Sequence, residues 1–179
     1  MPLLAPVMTA VLPVRTVISL VPVEPGGQEQ QRAWLAYIRV QLRLRYEMNR
    51  QLQADSDISL ADYDVLTALS VAPEGRLQMT ALANHIGWER TRTSHHARRM
   101  EARGLLRLRQ STVDRRAIEV SLSDEGKALL EDAAPGHVKL VKDLFFAGLR
   151  QDLVPALTEA MEGVYSTLLA RGMLPPPPL

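Results

Sequence analysis

Apolar side chains recur every three or four residues in two long stretches of the sequence. Trp34, Ile38 and Leu42 follow one another at steps of four, which predicts a helix over about 29–53. A similar stripe near the end of the chain predicts a last helix over about 150–171. Each stripe gives its helix one apolar face, and that face must pack against other protein.

Capping residues predict three further helices after the first. Ser59 precedes an apolar run and has Asp62 three residues later, the arrangement of a helix N-cap. A short third helix is expected from a cap at Thr80 to a stop at Gly87. A fourth, Arg-rich helix over about 90–103 ends before a glycine suited to the left-handed position that follows a helix.

Two short segments after the fourth helix, "LLRLRQ" and "AIEVSL", alternate apolar and polar residues. Leu106 and Leu108 fall on one side of the first segment and arginines on the other, so each segment predicts a strand with one buried face. The polar loop "STVDRR" joins the two strands into a hairpin.

Ser123 is expected to cap a fifth helix, in which Pro135 and Gly136 predict a kink or an interruption. The order of helix, helix, short helix, basic helix and two-stranded hairpin predicts a winged helix-turn-helix. The predicted fold class is mainly α with a small β-hairpin wing, flanked by N- and C-terminal dimerisation helices. These flanking helices carry more apolar surface than so small a module covers, and a second copy is the simplest partner for it.

The prediction divides the chain into five segments. They are a Pro-rich apolar arm, extended or disordered, at 1–27, an N-terminal dimerisation helix at 28–58, the winged helix-turn-helix domain at 59–122, C-terminal dimerisation helices at 123–172 and a polyproline tail at 173–179. Five prolines break any helix in the arm, and no basic segment precedes its apolar part. We therefore expect no membrane contact and a cytoplasmic location.

Composition and motifs narrow the class of function. Hydrophobic residues make up 46% and charged residues 23% of the chain, the balance of a globular protein. Cysteine is absent, which excludes disulfides, thiolate zinc sites and catalytic thiols. GxGxxG, Walker and HExxH motifs are also absent. His95 and His96 are adjacent and therefore diverge by about 100° on a helix, which suits no shared metal ion. We expect no enzyme activity, no metal and no cofactor.

Positive charge is concentrated in one part of the chain. Residues 72–122 contain ten arginines, no lysine and five acidic residues, a net charge of +5, whereas the remainder is −4. A basic module on an acidic body predicts that one face contacts a polyanion, and arginine suits phosphate and guanine because its planar fork grips both with two hydrogen bonds. A solvated charged surface without a ligand is the alternative reading of this stretch.

The stretch "RMEARGLLRLR", followed by Asp114-Arg115-Arg116 and then "VSLSDEG", resembles the MarR family of bacterial regulators. The resemblance covers about 30–171, with Met100 in place of the usual Leu and Ser123 in place of the usual Thr. It implies a homodimeric DNA-binding regulator, often a repressor, whose affinity for its operator commonly falls when a small aromatic or phenolic compound binds. Several members of the family are activators, so the sign of control stays open.

The predicted DNA contacts follow from the helix-turn-helix. Thr93, Ala97 and Met100 share one face of the fourth helix with His96 beside them, and this face is expected to pack inward. The start of the helix is expected to enter the major groove of a pseudo-palindromic operator, and the wing loop to reach a minor groove. The predicted contacts are Arg90, Thr91, Arg92, Ser94 and His95 with base edges and nearby phosphates, Arg98 and Arg99 with the backbone, and Arg109, Arg115 and Arg116 from the wing.

The resemblance also implies an ion pair that shapes the wing. Asp114 is expected to pair with Arg116, which leaves Arg115 for the groove, although the reverse assignment is open. A salt-bridged surface hairpin without a ligand is the other interpretation of the same residues.

A crevice for an effector is the last implication of the resemblance. Its expected aromatic and cationic residues are Trp34, Tyr37, Arg45, Tyr63 and Trp88, each of which also suits an ordinary core or interface. The alternative function is a winged-helix protein that binds DNA without sequence preference or acts mainly through protein contacts. A steep dependence on salt without preference for an operator would indicate that alternative.

Overall fold

A computed structural model of the chain describes residues 27–111 and 114–176. The arm predicted at 1–27 lies outside the described residues except for Gly27, which begins the first helix. The last part of the predicted polyproline tail also lies outside them. Contacts divide the chain into two compact units, which meet between residues 41 and 42. In the first unit every described residue is helical.

The helices and strands follow the predicted order, with one strand added. They are α1 (Gly27–Ser56), α2 (Leu60–Ser70), β1 (Arg76–Gln78), α3 (Met79–Ile86), α4 (Arg90–Ala102), β2 (Leu106–Gln110), β3 (Ile118–Leu122), α5 (Asp124–Val141) and α6 (Val154–Arg171). A 3-10 turn at Pro73–Gly75 precedes β1, and a π-helical turn at Lys142–Phe146 and a 3-10 turn at Gln151–Leu153 lie between α5 and α6. The fold is the mainly helical winged helix-turn-helix that the pattern predicts.

The wing is a three-stranded antiparallel sheet in the order β1-β3-β2. Val120 of β3 is fully buried and stands opposite Leu77 on one side and Leu108 on the other. The sequence predicted the β2–β3 hairpin but not β1, because three residues are too short to display an alternating pattern. Ile118 is 38% exposed, so the predicted buried face ends before the tip of the hairpin.

The core of the second unit lies where α2, α3 and α4 meet the sheet. Its fully buried side chains include Leu52, Val65, Leu66, Leu69, Leu82, Met100 and Val120. Because these side chains come from every element around α4, close packing fixes the rotation and the axis of that helix.

The structure corrects the predicted start of the third helix. Thr80 lies inside α3 rather than at its cap, and Gln78 occupies the N-cap position without a side-chain hydrogen bond. The reason is β1, whose pairing with β3 sets the extended conformation of Gln78 and starts the helix at Met79. The predicted stop is confirmed, since Gly87 takes the left-handed conformation with φ of 69°.

The sequence predicted a kink or an interruption at Pro135 and Gly136, and the structure corrects the second of these alternatives. α5 continues through both residues to Val141. A Cβ atom on Gly136 would lie 3.0 Å from the Gln51 side-chain nitrogen and 3.4 Å from a carboxylate oxygen of Asp55. Gly136 therefore permits close packing of α5 against the end of α1, and this tertiary contact outweighs the local tendency of the dipeptide to end a helix.

Candidate nucleic-acid interface

One face of α4 is buried as predicted and anchors the helix. Thr93, Ala97 and Met100 have no exposed surface, and His96 is 9% exposed. The Thr93 hydroxyl donates to the carbonyl of Glu89 at 3.1 Å, so this buried polar group is satisfied within the helix. Inward packing of this face leaves the opposite face of α4 to solvent.

The predicted contacts on α4 occupy that solvent face. Ser94 is half-buried. The other predicted contacts are exposed, namely Arg90, Thr91, Arg92, His95, Arg98 and Arg99. Arg90, Ser94 and Arg98 also line a cleft of about 360 Å³ whose far side includes Leu108 and Ile118 of the sheet. The cleft between α4 and the wing is therefore lined by arginine side chains, a serine hydroxyl and apolar side chains of the sheet.

Two of these arginines have partners that the sequence did not indicate. The guanidinium carbon of Arg92 lies 4.1 Å from the centre of the Trp88 ring, a cation–π contact. Arg99 donates from Nη2 to Nδ1 of His96 at 3.0 Å, so Arg99 turns back toward the packed side of the helix. The i, i+3 and i, i+4 spacings allow both contacts, but sequence alone does not tell which rotamers form them.

A buried carboxylate connects α4 to the helix behind it. Asp62 closes the capping box of α2 by accepting the backbone NH and the hydroxyl of Ser59, both at 2.9 Å. It also accepts Nη1 of Arg103 at 3.0 Å. Nε2 of His96 lies 2.9 Å from the other carboxylate oxygen, close enough for electrostatic attraction although its N–H is not aligned for a hydrogen bond.

This surrounding controls the ionisation of Asp62. Burial raises the pKa of the Asp62 carboxyl, whereas His96 and the donors of Ser59 lower it by a larger amount. The net pKa is therefore well below its ordinary value. The carboxylate is therefore charged at neutral pH. The sequence indicated the capping role of Asp62, whereas Arg103 lies forty-one residues away and no local pattern marks it as a partner.

The wing presents the remaining predicted cations. Arg109, Arg115 and Arg116 are all exposed, while the loop residues between Ser111 and Asp114 lie outside the described part. Asp114 accepts the backbone NH of Arg116 at 2.9 Å. The side-chain ion pair expected between these two residues is not among the contacts of the described residues, and it stays a prediction.

A side chain of α4 also holds the wing in place. Glu101 accepts the backbone NH of Leu108 at 3.0 Å, which joins the end of α4 to β2. The wing is thus fixed relative to α4 by this bond as well as by the core.

The residues expected around an effector crevice have separate surroundings. Trp34 and Tyr37 contact each other in the first unit, with ring centres 5.6 Å apart. In the second unit Arg45 lies 3.7 Å from a carboxylate oxygen of Asp64. The neighbouring Tyr63 ring lies 4.5 Å from that of His137, and Trp88 contacts Arg92 and His96. The crevice itself stays a prediction.

His137, the ring neighbour of Tyr63, has a lowered pKa. Burial lowers the pKa of His137, and Asp64 raises it in part.

Within the described ranges, no cluster of three or more His, Asp or Glu side chains is placed to hold a metal ion. No helix among the described residues is both long and apolar enough to cross a membrane.

Comparison with known proteins agrees with this geometry. The MarR family matches residues 56–117. An organohalide-sensing transcriptional regulator in its 2,4-dichlorophenol-bound form shares the fold with a TM-score of 0.72 and 15% identity, over 97% of this chain and 96% of that one. No curated protein matches the chain.

Two regulators from Streptomyces coelicolor are more similar in sequence. AbsC, a MarR family transcriptional regulator, shares 26% identity with a TM-score of 0.75, over 84% of this chain and 99% of that one. Sco3205, a MarR family transcriptional regulator whose structure is in complex with DNA, shares 34% identity with a TM-score of 0.76, over 83% of this chain and 93% of that one. With this identity over nearly the whole of a known member, and with the winged helix-turn-helix in place, the chain belongs to the MarR family of transcriptional regulators.

Proposed function

We propose that the protein is a sequence-specific DNA-binding regulator rather than an enzyme, and that it acts in the cytoplasm as a dimeric repressor on a pseudo-palindromic operator. The observation that carries the proposal is the solvent face of α4, where Arg90, Arg92 and Arg98 are exposed on a helix fixed by its buried side. The similarity to Sco3205, which was crystallised in complex with DNA, supports it.

In this proposal the start of α4 enters the major groove. Arg90, Thr91, Arg92, Ser94 and His95 face base edges and nearby phosphates there. Arg98 contacts the backbone one turn later, and the wing arginines reach the adjacent minor groove. A bidentate arginine contributes about 1–3 kcal/mol of discrimination between bases, whereas a phosphate contact adds affinity without sequence preference.

A small aromatic or phenolic ligand is proposed to relieve repression. The relative bound to 2,4-dichlorophenol supports this step by fold alone. Such a ligand must bind more tightly to a dimer whose two α4 helices are wrongly spaced for successive major grooves, since equal affinity for both states shifts nothing. Arg45, which lies 3.7 Å from Asp64, is the cation of the expected crevice that we propose for a phenolate.

The decisive experiment compares binding to the DNA upstream of the protein's own gene with binding to random DNA of equal length, across salt concentrations. We expect a preference for the upstream DNA and protection of a pseudo-palindrome. Arg92→Ala should weaken operator binding by about 10- to 100-fold and reduce the preference. The matched control is Arg150→Ala, which removes an exposed arginine that is paired with Asp152 on another part of the chain.

Equal affinity for both DNAs with a steep salt dependence would replace sequence recognition by nonspecific binding. Absence of binding even at low salt would reject the DNA proposal and favour action through protein contacts. A reporter gene under the protected sequence gives the sign of control, and de-repression by added phenols tests the ligand step.

A further inference from the structure

The ring of Trp88, immediately before α4, contacts the guanidinium of Arg92. The distance of 4.1 Å from the Arg92 guanidinium carbon to the ring centre is that of a cation–π contact. We propose that Trp88 is a positioning residue, whose ring holds Arg92 in the orientation in which this arginine reads a base edge. The proposal rests on the proposed function and adds to it a residue that determines specificity without itself reading the DNA.

Trp88 is held by its backbone, by the core and by a neighbouring ring. Its backbone NH donates to the carbonyl of Ala83 at 2.9 Å, and its half-buried side chain packs against the core. Its ring meets the ring of His96 edge to face, with centres 5.3 Å apart and planes at 85°. His96 in turn lies against the buried Asp62. A chain of contacts therefore runs from the cap of α2 to an exposed guanidinium.

The position of the Arg92 guanidinium carbon over the Trp88 ring is compatible with N–H donors that remain available. An aromatic ring covers the face of a guanidinium, whereas its five N–H donors lie in the plane and point away from the ring. No carboxylate lies within ion-pair distance of Arg92 among the described residues. Arg103, by comparison, is committed to Asp62. Arg92 thus combines contact with a ring and donors that no described carboxylate occupies, a combination that favours bidentate recognition of guanine.

Pre-organisation gives this contact its consequence for binding. A free arginine side chain loses much conformational entropy when it is immobilised against a base, and a side chain already held on a ring loses less. The opposite role, in which Trp88 stores Arg92 away from the DNA, predicts the opposite sign. Removal of the ring would then raise the affinity for the operator.

The contact itself is testable without DNA. Trp34 and Trp88 are the only tryptophans of the chain, so Trp34→Phe leaves Trp88 as the single tryptophan, whose emission is recorded with excitation that the four tyrosines do not absorb. In that background we expect Arg92→Ala to change the emission of Trp88. The matched control, Arg90→Ala, removes another exposed arginine of the same helical turn and should leave the emission unchanged. An unchanged spectrum with Arg92→Ala would overturn the proposal.

The consequence is tested by a double-mutant cycle in the full-length protein. Trp88→Leu keeps apolar bulk but removes the ring, and we expect it to lower the ratio of operator to random-DNA affinity by about three- to tenfold. Arg92→Ala should then cost clearly less than it does in the parent protein, because part of its contribution is already lost, whereas Arg90→Ala should keep its full effect. Trp88→Phe retains a ring and should restore most of the ratio, which separates positioning from loss of folding.

Additive effects of Trp88→Leu and Arg92→Ala, or a gain of operator affinity, would overturn the positioning role. If the parent protein shows no preference for any upstream DNA, the proposed function fails and this role fails with it. The fluorescence result separates the two cases, because it reports the Trp88–Arg92 contact whether or not the protein recognises an operator.

Discussion

Asp62 and Asp64 lie two residues apart in α2, yet their environments shift their ionisation in opposite directions. Burial raises the pKa of Asp64, and the nearby Arg45 and His137 lower it only in part, so the net pKa is raised. For Asp62 the nearby His96 and the donors of Ser59 outweigh burial, and the net pKa is lowered. Near neutral pH the Asp64 carboxylate therefore lowers the free energy of unfolding, whereas the Asp62 carboxylate raises it.

Substitution of Asp62 should expose this difference. Asp62→Ala removes a cap acceptor and leaves Arg103 and His96 without their partner, and we expect a loss of about 3 kcal/mol in the free energy of unfolding at about pH 7. Because the folded-state pKa is depressed, this contribution is present above the ordinary pKa of 3.8 and is lost as pH falls below it. Urea unfolding of the wild type and Asp62→Ala at about pH 7 and about pH 3 measures the difference in their free energies of unfolding, which we expect to be smaller at the lower pH.

Asp64→Ala is the matched control for that experiment. The raised pKa of Asp64 means that the folded protein binds its proton more tightly, so lower pH should move the wild type's stability upward relative to Asp64→Ala. A gap that changes in the same direction for both variants would contradict the assignment of opposite shifts.

Local and distant interactions divide what the sequence predicted at this scale. The capping box of Ser59 and Asp62 spans three residues, and it was predicted because such motifs are read from spacing alone. The contacts of Asp62 with His96 and Arg103 join residues far apart in the chain, which only the packed fold brings together. Arg92 was predicted as a DNA contact without its ring partner for a different reason: Trp88 is only four residues away, but spacing alone does not tell which rotamer forms the contact.

At the scale of elements, two helical glycines differ in whether a side chain would fit: Gly126 is crowded and Gly163 is open. A Cβ atom on Gly126, in the first turn of α5, would lie 2.0 Å from the carbonyl oxygen of Leu105. Ser123 clamps the same junction by donating to the Gly104 carbonyl at 2.6 Å and by accepting the NH of Gly126 at 2.9 Å. In α6, a Cβ atom on Gly163 would meet nothing within 4 Å.

Alanine at these two positions should therefore change stability in opposite directions. Gly126→Ala forces the start of α5 away from Leu105, and we expect it to destabilise the protein by about 1–3 kcal/mol. Gly163→Ala improves helix propensity without a clash and should stabilise by about 0.5–1 kcal/mol. Chemical denaturation of the two variants beside the wild type gives both values. A neutral Gly126→Ala would contradict the close approach.

Periodicity predicted the two long flanking helices from their apolar stripes and the β2–β3 hairpin from its alternation, while capping and stop residues predicted the helices between them. It failed where tertiary contact sets the boundary. The first strand is three residues long, and the start of α3 depends on that strand's pairing with β3. Gly136 was read as a helix breaker because the Gln51 side chain packed beside it is invisible to a local pattern.

At the scale of the whole molecule, α6 leaves an apolar stripe uncovered. Met161, Val164 and Leu168 follow at steps of three and four and are 45%, 54% and 61% exposed. A contiguous exposed stripe of this kind indicates a protein–protein contact, and the homodimer expected for the family supplies a partner. At about 100° per residue, Gly163 lies about 100–160° around the helix from these three side chains, so its alanine variant tests stability at a position off the stripe.

The dimer prediction is sharpest at Leu168. In a two-fold interface each substitution acts twice, and loss of a buried leucine costs about 1.5–3 kcal/mol per copy. We therefore expect Leu168→Glu to weaken dimerisation at least about 100-fold, with a shift toward monomer in sedimentation velocity and a matching loss of operator affinity. Val71→Glu is the matched control, since Val71 is 68% exposed beyond the end of α2 and away from the stripe. A Leu168→Glu protein that stays dimeric would place the interface elsewhere. A monomer that still protected both half-sites would separate operator binding from dimerisation.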